Sequence, residues 1–159
     1  MSRLNNQVMN MIARGVLAAT DDTKGVQVVA LDLLSGERKD NVERFMNYGF
    51  SSAPTGEAEA IVIFPGGDRS AGVVVALDAR GTRFTGLAPG EVCVYSDNGD
   101  SIVLKVNNEI EITTRRLVIN AMETVDITAP DAAGVRIVAP QLRVEGDINA
   151  TGTVNEGVP

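Results

Sequence analysis

The sequence predicts an all-β chain in two parts, a small closed barrel and then an intertwined trimeric β-helix or β-prism, with a short helix ahead of both. Three observations predict it. From residue 102 onward, apolar residues recur at strict period two: Ile102, Leu104 and Val106, then Ile110 and Ile112, Leu117 and Ile119, Val125 and Ile127, Val135 and Ile137, Leu142 and Val144, ending near Ile148. That spacing puts each set on one face of a short strand. Between them stand Lys105, Glu111, Val118, Asp126, Arg136 and Arg143, charged except for Val118. Secondly, no helix-period segment accompanies these strands to cover their apolar faces. About fifty residues of one-faced strands make a poor core alone, because small domains bury too little of their surface. Pooling the faces of three copies supplies the cover. Thirdly, the region before Asp97 carries short apolar runs between Gly-rich and Asp-rich turns, the mark of a small barrel.

The elements follow in order. Leu4, Val8, Met11 and Ile12 recur at helical spacing, predicting an N-terminal helix over residues 1–14 that Gly15 ends. Two readings stand: a helix packed on its own domain, or a docking element for a neighbouring protein. Val16 to Thr20 is a strand, followed by the turn Asp21-Asp22-Thr23-Lys24-Gly25. Val26 to Leu34 is a second, closed by Ser35-Gly36, and polar residues from Glu37 lead into Val42 to Phe45. Ala60 to Phe64 and Gly72 to Leu77 are continuous apolar runs, expected to be buried on both sides and joined through Pro65-Gly66-Gly67-Asp68. Val92 to Tyr95 and Ile102 to Val106 flank the hairpin turn Asp97-Asn98-Gly99-Asp100. Five or six such strands predict an OB-like barrel over 15–97, which removes exposed edges. The spike segment is then 98–159. There Pro130, Gly134, Pro140, Gly146 and Gly152 mark corners between strands, and the small residues from Gly146 to Val154 suit a thin prism.

Composition narrows the function classes. The chain has 159 residues, 44% of them hydrophobic and 4% aromatic, with no Trp. So few aromatics argue against a base-stacking platform or an aromatic-lined pocket. With 14 basic and 21 acidic residues the net charge is −7, a poor match to a phosphate backbone, and no nucleic-acid partner is expected. The absence of His removes the commonest general base and most zinc chemistry, so neither enzyme activity nor a cofactor is expected. The single Cys93 lies in an alternating strand and reads as a small buried hydrophobe. Asn5, Asn6 and Asn10 interrupt any signal-like apolar run. The longest apolar runs fall far short of the roughly 20 residues that span a bilayer. Synthesis as a soluble protein in a cytoplasm is the expectation.

No catalytic motif emerges. Gly66-Gly67-Asp68-Arg69-Ser70 lacks the P-loop pattern and joins strand to strand, so it reads as a turn. Asp97, Asn98 and Asp100 lack the twelve-residue calcium loop. The paired acids Asp21/Asp22 and Glu57/Glu59 read as solvated charge rather than a hydrolase pair. Arg115-Arg116 reads as a surface or intersubunit ion-pair element.

Several segments together resemble a known family. Asn41-Val42-Glu43-Arg44-Phe45, Tyr48-Gly49-Phe50, Glu59 to Ser70, Gly72 to Asp78 and Leu87-x-Pro89-Gly90-Glu91-Val92 are similar to the N-terminal domain of the Mu-type phage baseplate spike, the baseplate assembly protein V family. The likeness is most specific from Asn41 to Ile102, extends to Asn10–Leu17, and is one of pattern beyond. It implies an OB-fold, a trimeric β-helix spike, and a place in the virion at the centre of the tail baseplate. The implied partners are two further copies, the hub and tail-tube proteins and, transiently, the host outer membrane, pierced on sheath contraction. Related spikes end in a His-x-His motif holding an iron ion at the apex. This chain has no His and runs out in Asn155-Glu156-Gly157-Val158-Pro159, which looks like a frayed tail, so a separate tip-capping protein is expected. Two rival readings stand: an OB-type module binding oligonucleotide or oligosaccharide, for which basic and aromatic residues are few, and a spike-linked hydrolase, for which the chain is short.

Overall fold

In the computed structural model residues 3–33, 36–130 and 134–154 are described. The chain divides into two compact units, Met1–Leu117 and Val118–Pro159. In the first, α1 (Arg3–Met9) precedes five strands: β1 (Ile12–Asp21), β2 (Gln27–Leu33), β3 (Arg38–Arg44), β4 (Glu59–Ile63) and β5 (Val73–Asp78). They close in the order β1-β2-β3-β5-β4 and back to β1, with β3 parallel to β5 and the other neighbours antiparallel. This is the Greek-key order of an OB-like barrel.

Alternation fills the barrel. Leu17, Val29, Leu31, Leu33, Val42, Ala58, Ala60, Val62, Phe64 and Val74 form one buried cluster. Strand neighbours such as Ile61 and Val75 are exposed, so β4 and β5 are buried on one face only, whereas in β2 Val28 beside Val29 is buried too. The expectation of burial on both faces is corrected here. Continuous apolar runs arose because the outer wall is itself partly apolar. The loop between β4 and β5 holds a single 3-10 turn, Pro65–Gly67.

The N-terminal helix is shorter than its spacing implied. Backbone bonds from Asn10 to Gln7 and from Met11 to Val8 close it, and Ile12 already belongs to β1, opposite Ile63. Met11 and Ile12 are therefore not on the helix. Gly15 does not end it either. It sits in mid-strand opposite Leu33, where a Cβ would lie 2.7 Å from Leu33 Cδ2 and 2.9 Å from the Asp32 carbonyl oxygen. Gly15 thus allows the close approach of β1 and β2.

After the barrel come β6 (Val92–Tyr95), β7 (Ser101–Lys105) and β8 (Glu109–Thr113), a separate antiparallel sheet in that order. The boundary expected at 97/98 falls inside its first hairpin. Gly99 (φ 86°) shapes that turn, and Ser96 N–H donates to the Asp100 carbonyl at 3.0 Å. Asn107 and Asn108, at φ 69° and 60°, make the next, in the left-handed region that Asn tolerates better than most residues. In the second unit no helix or strand occurs among the described residues. An Arg143–Glu145 ion pair and a Thr124–Asp126 hydrogen bond are local to it. The expected frayed tail, 155–159, lies outside the described residues, as do Leu34 and Ser35 of the expected second strand and its turn.

Candidate self-association surface

The β6-β7-β8 sheet has two unlike faces. Register places Val92, Leu104 and Ile110 in one row and Val94, Ile102 and Ile112 in the next. Directly opposite residues share a face, so these six aliphatic side chains form one uncharged patch. Each is 42–66% exposed. On the other face, Ser101 and Val103 are buried, Cys93 is half-buried, and the Tyr95 ring meets Phe84 with centroids 6.3 Å apart. At that face's edge Lys105 bonds both Glu109 (3.3 Å) and Glu111. The Lys105 ammonium holds the Glu111 carboxyl below its ordinary range, and Glu111 in turn raises Lys105. One face is thus finished by the chain itself, while the apolar face is bare.

Register sets Ile102 opposite Ile112 and Leu104 opposite Ile110, with Val106 exposed in the following turn. It adds Val92 and Val94, which sequence reasoning assigned to the barrel. Their signal was present: a hairpin turn joins their strand to β7, and direct pairing fixes the shared face. Leu117, Ile119, Val125, Ile127, Val135, Ile137, Leu142, Val144 and Ile148 are all 48–73% exposed. Among the described residues none of these nine lies on a strand. Of the docking-helix set, Leu4 and Val8 lie on α1 and are exposed. Met11 and Ile12 are exposed beyond its end.

The remaining candidate motifs are absorbed by local structure. Asp21 caps its own turn, its carboxylate accepting from the Thr23 hydroxyl (2.6 Å) and backbone N–H (3.0 Å), which lowers its pKa. Asp22 accepts from Gln27 at 2.8 Å. Glu59 accepts from Arg14 and from Arg80, and the Arg14 guanidinium holds its carboxyl below the usual range. In the glycine loop, the Gly67 and Asp68 N–H groups donate to Phe64 and Pro65 carbonyls, so these amides are spent within the turn. Gly67 lies under α1: a Cβ there would meet the Gln7 carbonyl oxygen at 2.7 Å. Among the described residues, no group of His, Cys, Asp and Glu is placed to hold a metal ion. No described helix is long and apolar enough to cross a membrane.

A closed barrel followed by a bare, strand-borne apolar face defines an all-β module with surface left for assembly. Residues 14–81 match the family described as Bacteriophage Mu Gp45, N-terminal, and with the Haemophilus influenzae relative below the chain belongs to this Mu-type baseplate spike family. It is 34% identical over 127 residues to the "Baseplate puncturing device gp45" of Escherichia phage Mu, covering 80% of this chain. The chain spans 64% of that relative's length, just under two thirds. It is also 32% identical over 142 residues to the "Mu-like prophage FluMu protein gp45" of Haemophilus influenzae (strain ATCC 51907 / DSM 11121 / KW20 / Rd), covering 89% of this chain and 75% of that relative.

Proposed function

We propose that this chain is a structural spike at the centre of a contractile phage or phage-like tail baseplate, a homotrimeric needle that helps puncture the host outer membrane when the sheath contracts. The observation that carries this reading is the bare apolar face of β6-β7-β8, followed in the chain by further exposed aliphatic side chains from Leu117 to Ile148. Such a run has no cover within one copy. A contiguous exposed apolar face such as that of β6-β7-β8 marks an interaction site.

Three copies braided about one axis turn each bare face inward and pair the backbone of each extended segment with a sibling's. Closing the edges removes the unpaired N–H and C=O groups that a lone strand presents. Stiffness follows from a dry, close-packed core. The barrel then serves as the base that hub and tail-tube proteins hold. The partners of this reading include a separate capping protein at the tip. No enzymatic step enters this reading.

The test is the mass of the purified chain by light scattering. A species near 50 kDa, three times 16.8 kDa, is expected. A single-chain mass across micromolar concentrations would remove the needle and leave a solitary barrel.

A further inference from the structure

The tip of the β6-β7 hairpin carries Asn98-Gly99, and Asn98 is the one asparagine of the chain that a glycine follows. The pair is a turn signal. It is also a pair of reactive groups, a side-chain amide next to a backbone nitrogen whose own residue has no side chain to hinder approach. Asn98 is exposed, and the space around Gly99 is open: a Cβ built there would meet nothing within 4 Å. Every other asparagine precedes a larger residue, whose side chain crowds the same approach.

The turn is clasped from both sides. The Ser96 carbonyl accepts from the Gly99 N–H at 3.2 Å, and the Ser96 hydroxyl accepts from the Asn98 N–H at 3.3 Å. The Asp97 carboxylate accepts from the Thr55 hydroxyl of the β3-β4 loop at 2.7 Å. The Asp100 carboxylate accepts from the Ser96 hydroxyl at 3.0 Å and from the Thr114 hydroxyl, just past β8, at 2.8 Å. Together these bonds keep the Gly99 nitrogen engaged with Ser96, so the turn has to open before that nitrogen can react.

We propose that Asn98-Gly99 is a site of spontaneous covalent modification, where asparagine converts to isoaspartate and aspartate ahead of every other asparagine in the chain, at a rate set by opening of the clasped turn. The Gly99 nitrogen gives up its hydrogen and attacks Cγ of Asn98. A C–N bond forms, the side-chain nitrogen leaves as ammonia, and a five-membered imide remains. Water then opens the imide at one of its two carbonyls. Opening at Cγ restores the ordinary backbone with aspartate at 98. Opening at the main-chain carbonyl leaves the chain running through Cβ, as isoaspartate. Neither step needs an oxidant or a cofactor. The isoaspartyl product adds a backbone carbon inside a turn that Ser96 and Asp100 close at 3.0 Å, and it adds a carboxylate beside Asp97 and Asp100, so the hairpin end loosens. The site is independent of the trimer reading and can be followed whether the chain weighs as one copy or three.

The test incubates the purified full chain in warm, mildly alkaline buffer and maps its peptides over time with electron-transfer fragmentation, which separates isoaspartate from aspartate at a given residue. Conversion at Asn98 before any other asparagine is expected, with isoaspartate among the products. Asn98 intact at the end of the series, or another asparagine converting first, would overturn the site. Thr55→Val with Thr114→Val removes two clasps at exposed positions outside the barrel cluster, so the fold is retained. Conversion at Asn98 should then run about threefold faster or more, as the loss of net hydrogen bonding implies. An unchanged rate would overturn control by the turn.

Discussion

Leu104→Asp together with Ile110→Asp places two carboxylates at directly opposed positions of the bare sheet face. In one copy these side chains are 45% and 66% exposed, so about half of each one's burial remains to be gained on assembly. A fully buried Leu or Ile contributes about 1.5–3 kcal/mol, leaving roughly 1 kcal/mol per site here. Two sites in each of three copies then amount to about 6 kcal/mol of association lost, some four powers of ten in the equilibrium constant. Enclosing unpaired carboxylates in that interface would cost several kcal/mol more per ion. Neither residue belongs to the barrel cluster, so the barrel should still fold. Size-exclusion light scattering should therefore show a folded species near 16.8 kDa with its β-type circular dichroism retained. Glu109→Gln, on the opposite face, should remain trimeric. A double variant that still weighs as three chains would refute the assignment of this face to the interface.

Four further outcomes are expected. Ile127→Asp with Ile137→Asp, both exposed in one copy, should leave a folded barrel that no longer trimerises; light scattering decides it, and a persisting trimer would remove these two from the core. Phe64→Ala empties the largest fully buried side chain of the barrel and should destabilise it by about 3–5 kcal/mol in urea unfolding; a loss under about 1 kcal/mol would place Phe64 outside the core. Gly67→Val forces a β-branched side chain into φ 74° and against the Gln7 carbonyl. It should unseat α1 at a cost of roughly 1 kcal/mol or more, seen as faster hydrogen exchange over residues 3–9 with the barrel strands unchanged. The carboxyls of Asp21, Glu37, Glu59, Asp68, Asp100 and Glu111 are all held low by hydrogen bonds and cations in the folded chain. The unfolded chain therefore takes up protons first as pH falls, and stability present above the ordinary values of 4.5 for Glu and 3.8 for Asp is lost below them. The urea midpoint should be flat near neutrality and drop in acid, less steeply in Glu59→Gln; an equal slope would contradict that pairing.

How much of this was legible in the sequence depends on which signals were local. The barrel strands were, because alternation and turn residues such as Pro65-Gly66-Gly67 act within a few positions. Asp97-Asn98-Gly99-Asp100 signals the β6-β7 hairpin locally, whereas the period-two pattern starts only at Ile102 and so points to a boundary inside that hairpin. Val92 and Val94 fall on the barrel side of that boundary. Gly15 misled for a physical reason: a helix stop and a close strand crossing both require a residue without Cβ, and only the partner at Leu33 distinguishes them. The segment around Tyr48 is visible in the sequence only as part of a family likeness, since Arg44 and Gln27, which hold Ser52 at its base, come from β3 and β2. For the stripes from Leu117 to Ile148 the spacing marks the apolar set, and the single chain leaves those side chains exposed; cover by sibling chains belongs to the proposed function.

The central question is whether the uncovered aliphatic side chains from Val92 to Ile148 are satisfied by sibling chains. Native mass spectrometry of the purified full chain, diluted stepwise through the micromolar range, reads this without any mutation. The prediction is a single dominant ion series at three chains, persisting on dilution. A dominant one-chain series with the compact charge states of a folded protein would contradict it.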